Sequence, residues 1–140
     1  MIKKTGSGLL LVVLGCLSVV NTANARWAVP LVNPGPSSWG CDLSLSEVKK
    51  GIDMGLIIKN WVPSNEQTSY TQGKIVVRGK HTLLVDINFT KNSFDIKYKS
   101  SDNLKHKIDS EGVEMIHSNA NSWMDNLKNA ITVILKGKCN

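Results

Sequence analysis

The chain is short of the residues that most often carry chemistry. It has three histidines and three cysteines in 140 residues, and none of them falls in a Cys-x-x-Cys or His-Glu-x-x-His spacing. No local pattern therefore presents several ligands to one metal ion. It also has no Gly-x-Ser-x-Gly elbow, no dinucleotide fingerprint and no phosphate loop, since Gly73 to Gly79 has the wrong spacing for one. No cofactor is implied. Repeats and low-complexity tracts are missing, and the apolar run from Gly6 to Val20 falls short of the roughly 18 to 20 residues that cross a bilayer. Aromatic residues make up only 6%, but 41% of the chain is hydrophobic and 20% is charged with both signs interspersed. That composition supports one folded core, and the length excludes a multidomain enzyme.

The N-terminus carries an export signal. Lys3 and Lys4 precede the apolar run, and Ala23-Asn24-Ala25 follows as a small-x-small cleavage site. Cleavage after Ala25 leaves residues 26–140 and removes two of the positive charges behind the formal +6. The remaining basic excess is mild and forms no dense stripe with interleaved aromatics, so nucleic acid is not an expected partner. A second reading of the segment is Val13-Leu14-Gly15-Cys16 as a bacterial lipobox, with Cys16 lipidated and the protein tethered to the membrane. Leucine directly before Gly-Cys is unusual there, and Leu17 to Val20 stay apolar where a lipoprotein turns polar, so Ala25 is the preferred end. Removal of the signal leaves two cysteines, Cys41 and Cys139, which are expected to form a structural disulfide in an oxidising compartment. Closing a loop of that size contributes at most roughly 4 to 5 kcal/mol.

Residues 26–43 form a leader in which Pro30, Pro34, Gly35, Pro36 and Gly40 punctuate too densely for a helix or a central strand. Among Trp27, Val29, Leu31 and Trp39, one or two are expected to pack on the body; a surface-seeking segment is the alternative. The single domain, residues 44–140, begins with Ser44-Leu45-Ser46-Glu47, a capping box that predicts a helix through about Lys59 with Leu45, Val48, Ile52 and Leu56 on its apolar face. Gly51 and Gly55 lower helix propensity but permit close approach of a neighbour. A short edge strand from Trp61, a turn at residues 64–69 and a strand from Lys74 to Arg78 follow. Past the Gly79-Lys80 turn, Leu83, Val85, Ile87 and Phe89 alternate with polar partners, as do Phe94, Ile96 and Tyr98 beyond Lys91-Asn92-Ser93.

Pairing Phe89 with Phe94 sets Ile87 opposite Ile96, Val85 opposite Tyr98 and Asp86 opposite Lys97, which satisfies both faces of the sheet. Residues 100–114 read as a polar loop with a short strand around Ile108. A last helix runs from Asn119 or Asn121 to Lys136, with Trp123, Leu127, Ala130, Ile131 and Ile134 as its stripe and Gly137 as its stop. The expected fold is α+β: helix, three- to four-stranded antiparallel meander, C-terminal helix, with both helices on one sheet face.

The Arg-x-x-His of residues 78–81, the Phe/Ile/Tyr strand, Ser101-x-Asn103-Leu104, and Ile116-His117-x-Asn119-x-Asn121-x-Trp123 occur in this order after Trp61. With Val85, Ile87, Ile96, Tyr98 and Leu127 they resemble a family of small, functionally uncharacterised exported proteobacterial proteins, many of them lipoproteins. The likeness runs from about Leu45 to Ile134. It departs at Ala120, where family members commonly carry Tyr. The resemblance implies an envelope location and an α+β fold, and it carries no reaction.

Two surfaces could supply function. One is the polar sheet face with Asp86, Asn88, Asp95, Lys97 and Lys99, which reads as ordinary solvated surface. The other gathers Arg78, Lys80, His81, His117, Asn119 and Asn121, donors suited to an anionic or carbohydrate group, although the asparagines also serve as ordinary helix caps. The expectation is a non-catalytic envelope binding module whose partner is a protein, a glycan or an anionic lipid. The alternative is a small hydrolase with His81 and His117 as acid and base, which requires the two rings to share one cleft.

Overall fold

The computed structural model describes residues 28–140; the export signal, Ala25, Arg26, Trp27 and Cys16 lie outside the described residues. The capping box forms as read from the sequence: Glu47 N–H donates to Ser44 Oγ at 3.2 Å and Ser44 N–H donates to Glu47 Oε2 at 3.1 Å. Helix α1, Leu45–Ile58, starts there. It ends in a Schellman arrangement, with Asn60 at φ 65°, its N–H donating to Ile57 O, and Trp61 N–H donating to Leu56 O at 2.8 Å. That turn tucks the Trp61 ring into the core beside Leu56.

Four strands follow: β3 Val62–Gln67, β4 Tyr70–Val77, β5 His81–Phe89 and β6 Ser93–Asp102. The expected register holds at Phe89/Phe94, Ile87/Ile96, Val85/Tyr98 and Asp86/Lys97. Beyond it, Leu84 pairs with Ser100, so Lys99 is the extra residue of a bulge. Residues 64–67, expected in a turn, belong to β3. The edge strand expected from Trp61 is therefore longer than its sequence suggests; it faces water along most of its length, and its polar composition conceals that extension.

The strand count exceeds that of the expected meander because the leader contributes two strands and the segment after β6 contributes two more, one of them the short strand expected around Ile108. Here β1, Ala28–Pro30, pairs with β8, Glu114–His117, which also pairs with β7, Lys107–Ile108. Likewise β2, Ser37–Ser38, pairs with β6. The result is a five-stranded sheet in the order β2-β6-β5-β4-β3 and a three-stranded sheet in the order β1-β8-β7, all pairings antiparallel. Trp39 of the leader is buried and stacks on Phe94 with centroids 6.3 Å apart.

Helix α2, Ser118–Lys136, lies beside α1 on one face of the larger sheet, over Leu83, Val85, Ile87, Phe94 and Ile96. Its buried stripe is Ala120, Met124, Leu127, Ile131 and Leu135, rotated from the expected one, so Trp123, Ala130 and Ile134 lie half-buried on its flank. Gly137 ends it, though at φ −64° rather than in the left-handed region. The helices meet at the two glycines of α1: a Cβ on Gly55 would lie 2.5 Å from Ile131 Cγ1 and 3.2 Å from its Cα, and one on Gly51 would strike the Leu135 side chain. The Cys41–Cys139 disulfide, Cα atoms 5.8 Å apart, ties the leader to the end of α2. Among the described residues no helix is long and apolar enough to cross a membrane.

Candidate functional site

One end of the helix and sheet layers holds a cleft of about 540 Å³. Three short backbone features build it. The first is the β4–β5 turn, closed by Lys80 N–H donating to Val77 O at 3.1 Å, with Arg78 at φ 54° and Gly79 at φ 64°. A hairpin turn with two left-handed positions matches the strand twist, but such positions favour Gly, Asn or Asp, and arginine bears a steric cost there.

The second is the segment leaving β6. Asn103 at φ 55° and Lys105 at φ 54° flank Leu104, whose side chain is buried. His81 Nδ1–H donates to Asn103 O at 2.7 Å, and His117 N–H donates to Leu104 O at 2.8 Å, so the segment is pinned from β5 and from β8. Three of the five non-glycine residues with positive φ among the described residues thus line one cleft. Such concentration of backbone strain is typical of functional sites.

The third is the β8–α2 junction. His117 is the N-cap of α2, its Nδ1 accepting the Asn119 N–H at 3.1 Å. Asn119 and, one turn on, Trp123 complete the wall, with Val77 and Leu104 as further apolar lining. No acidic side chain stands in the first turn of α2, so the positive end of its dipole is not offset there.

The electrostatics are one-sided. Arg78 and Lys105 make no salt bridge among the described residues, and no carboxylate lines the cleft. The His117 imidazole titrates below its ordinary range, chiefly because burial disfavours its charged form and further because Lys105 and His81 lie near. The ring contacts also assign tautomers. A carbonyl only accepts, so His81 carries its proton on Nδ1; the cap needs a lone pair on His117 Nδ1, so the neutral ring carries its proton on Nε2.

Of the six residues expected to form a site, Arg78, His81, His117 and Asn119 come together here. Lys80 is exposed on the turn outside the cleft. Asn121 points to the leader, where its side chain donates to Pro30 O at 2.9 Å and accepts Val32 N–H at 3.0 Å. Of the other lining residues, Trp123 reads in the sequence as part of the apolar stripe of the last helix, Asn103 stands out only through the family resemblance, and Lys105 carries no signal.

The polar sheet face is largely self-satisfied. Asp86 accepts from the Tyr70 hydroxyl and from Gln72, and Lys99 Nζ lies 3.5 Å from it. Lys97 stands opposite Asp86 in the ladder as expected, but its ammonium lies 3.7 Å from Asp95. The third histidine, His106, is in a separate, shallower depression, stacked on Tyr98 and 2.6 Å from Glu114 Oε1.

No protein-family model matches the chain, and neither does any curated protein or solved structure.

Proposed function

We propose that the protein is a non-catalytic binding module of the bacterial cell envelope and that the cleft receives the anionic group of its ligand. One observation carries this reading: Arg78 and Lys105, two cations without carboxylate partners among the described residues, are held in left-handed backbone conformations around a single cleft. Pinning of residues 103–105 by His81 and His117 supports it, because a preorganised site loses less entropy when a ligand binds. The disulfide and the signal-like N-terminus support export, with a periplasmic chain starting at Arg26 as the preferred form and a lipid tether at Cys16 as the alternative. The resemblance to small exported proteobacterial proteins points the same way. Glycans and anionic lipids are the envelope components whose charge suits the cleft.

A second reading, a small hydrolase, draws on His81 and His117 sharing the cleft. General acid catalysis by His117 needs an imidazolium, whereas its capping bond needs the neutral ring. That conflict favours His117 as a hydrogen-bond donor and weighs the balance toward binding.

The test is a titration with inorganic phosphate followed by backbone amide NMR shifts. The expected result is saturable movement of the Arg78, Lys105 and Asn119 signals that Arg78→Ala with Lys105→Ala abolishes. Signals that stay still, or that move equally in the double variant, would contradict the proposal.

A further inference from the structure

The walls of the cleft specify more than charge. Trp123 lies on the flank of α2, half-buried against the core and lining the same cavity as Arg78 and Lys105. An exposed portion of indole beside two cations that make no salt bridge among the described residues is suited to a ligand that joins an anion to a flat apolar face. The face of a sugar ring, with its axial C–H groups, is one such surface. Asn103 and Asn119 also line the cavity, and their side-chain amides make no hydrogen bond within the described residues, so each has both a donor and an acceptor to offer. Hydroxyl groups, which donate and accept, match amides of this kind; a bare acyl chain does not. The guanidinium of Arg78 has the planar fork that grips two oxygens of a phosphoryl group, and Lys105 adds a second positive charge. The cavity volume of about 540 Å³ falls in the range that takes a small organic ligand rather than a bare ion.

We infer that the ligand is a sugar ring bearing a phosphate, with the phosphoryl group on Arg78 and Lys105, the ring on Trp123, and ring hydroxyls on Asn103 and Asn119. This rests on the cleft being an anion site, and it adds the class of molecule that carries the anion. The same chemistry occurs in a free sugar phosphate and in a phosphorylated envelope glycan or glycolipid headgroup.

The experiment compares α-glucose 1-phosphate, inorganic phosphate and glucose by NMR titration of the whole exported chain, following the Trp123 indole N–H and the Asn103 and Asn119 side-chain amides. The sugar phosphate is expected to bind up to about tenfold more tightly than phosphate, one ring contact's worth, and to move all three reporters. Glucose alone is expected to move them little. Trp123→Phe keeps a flat face and should retain most of the gain, while Trp123→Leu, similarly apolar, should reduce affinity to that of inorganic phosphate. Because the gain is read within one protein sample, a variant that folds poorly does not block the test.

Equal affinity for sugar phosphate and phosphate would overturn the sugar assignment and leave the anion site standing. Failure of all three probes to bind would overturn both. If the sugar phosphate binds as expected, a phosphorylated lipopolysaccharide fragment separates the sources: tighter binding than glucose 1-phosphate assigns the envelope glycolipid, and weaker binding assigns the free metabolite.

Discussion

His117 Nδ1 accepts the backbone N–H of Asn119 at 3.1 Å, so the cap of α2 is an imidazole that holds only while unprotonated. Protonation puts a hydrogen on Nδ1 and sets two donors against each other. The consequence is a linkage between pH and stability. Folding lowers the pKa of this ring below the unfolded value of about 6.5, so the unfolded chain takes up the proton first as pH falls. The associated stability is fully present above that value and is lost as pH falls through the folded pKa. Urea denaturation at pH 7.5 and pH 5 should show this loss. In His117→Asn, which caps without titrating, that part of the pH dependence should vanish; an unchanged pH profile would count against the cap.

Arg78 and Lys105 give a prediction in which stability and function move in opposite directions. Glycine enters the left-handed region without the steric cost borne by a side chain, about 1 to 2 kcal/mol, though it gains unfolded-state entropy. Arg78→Gly and Lys105→Gly should therefore be neutral to stabilising by about 1 kcal/mol in chemical denaturation, while each weakens phosphate binding. A clear loss of stability would mean that these side chains serve the fold instead.

At Gly55 two effects compete. Alanine improves helix propensity by roughly 1 kcal/mol, but its Cβ would meet Ile131 at 2.5 Å from Cγ1 and 3.2 Å from the backbone Cα. The backbone cannot yield cheaply, so overpacking should win and Gly55→Ala should destabilise by about 1 to 3 kcal/mol. Stabilisation in thermal unfolding would show that the helices separate easily.

The disulfide closes a sequence separation of 98 residues. Cys41→Ser with Cys139→Ser should lower stability by about 2 to 4 kcal/mol. The fold should survive, because β1, β2, Trp39 and the Asn121 contacts hold the leader independently. Calorimetry with and without reductant checks both statements.

The legible parts of the molecule are those in which one physical rule acts alone. Alternation of Leu83, Val85, Ile87 and Phe89 against Phe94, Ile96 and Tyr98 dictates a register, because a one-residue slip would turn every apolar side chain to water. Ser44 and Glu47 announce their helix by local hydrogen bonding. The two leader strands escape notice because their pairing depends on distant partners: Ala28–Pro30 becomes a strand only when Glu114–His117 lies beside it. The buried stripe of α2 shares Leu127 and Ile131 with the sequence pattern but is rotated from it, since Trp123 and Ile134 are large enough to resemble core residues while Ala120 is small. In the site, Arg78 on the β4–β5 turn and His81 at the start of β5 are close in sequence, and that proximity alone groups them. Lys105 enters the cleft through two left-handed residues around the buried Leu104, a geometry with no signature in the spacing of the chain.

The most direct measurement is a crystal structure of the protein soaked with inorganic phosphate. The account predicts a phosphate in the cleft within hydrogen-bonding distance of the Arg78 guanidinium and the Lys105 ammonium. An empty cleft in crystals that bind phosphate instead at Lys80, Lys97 or Lys99 would contradict it.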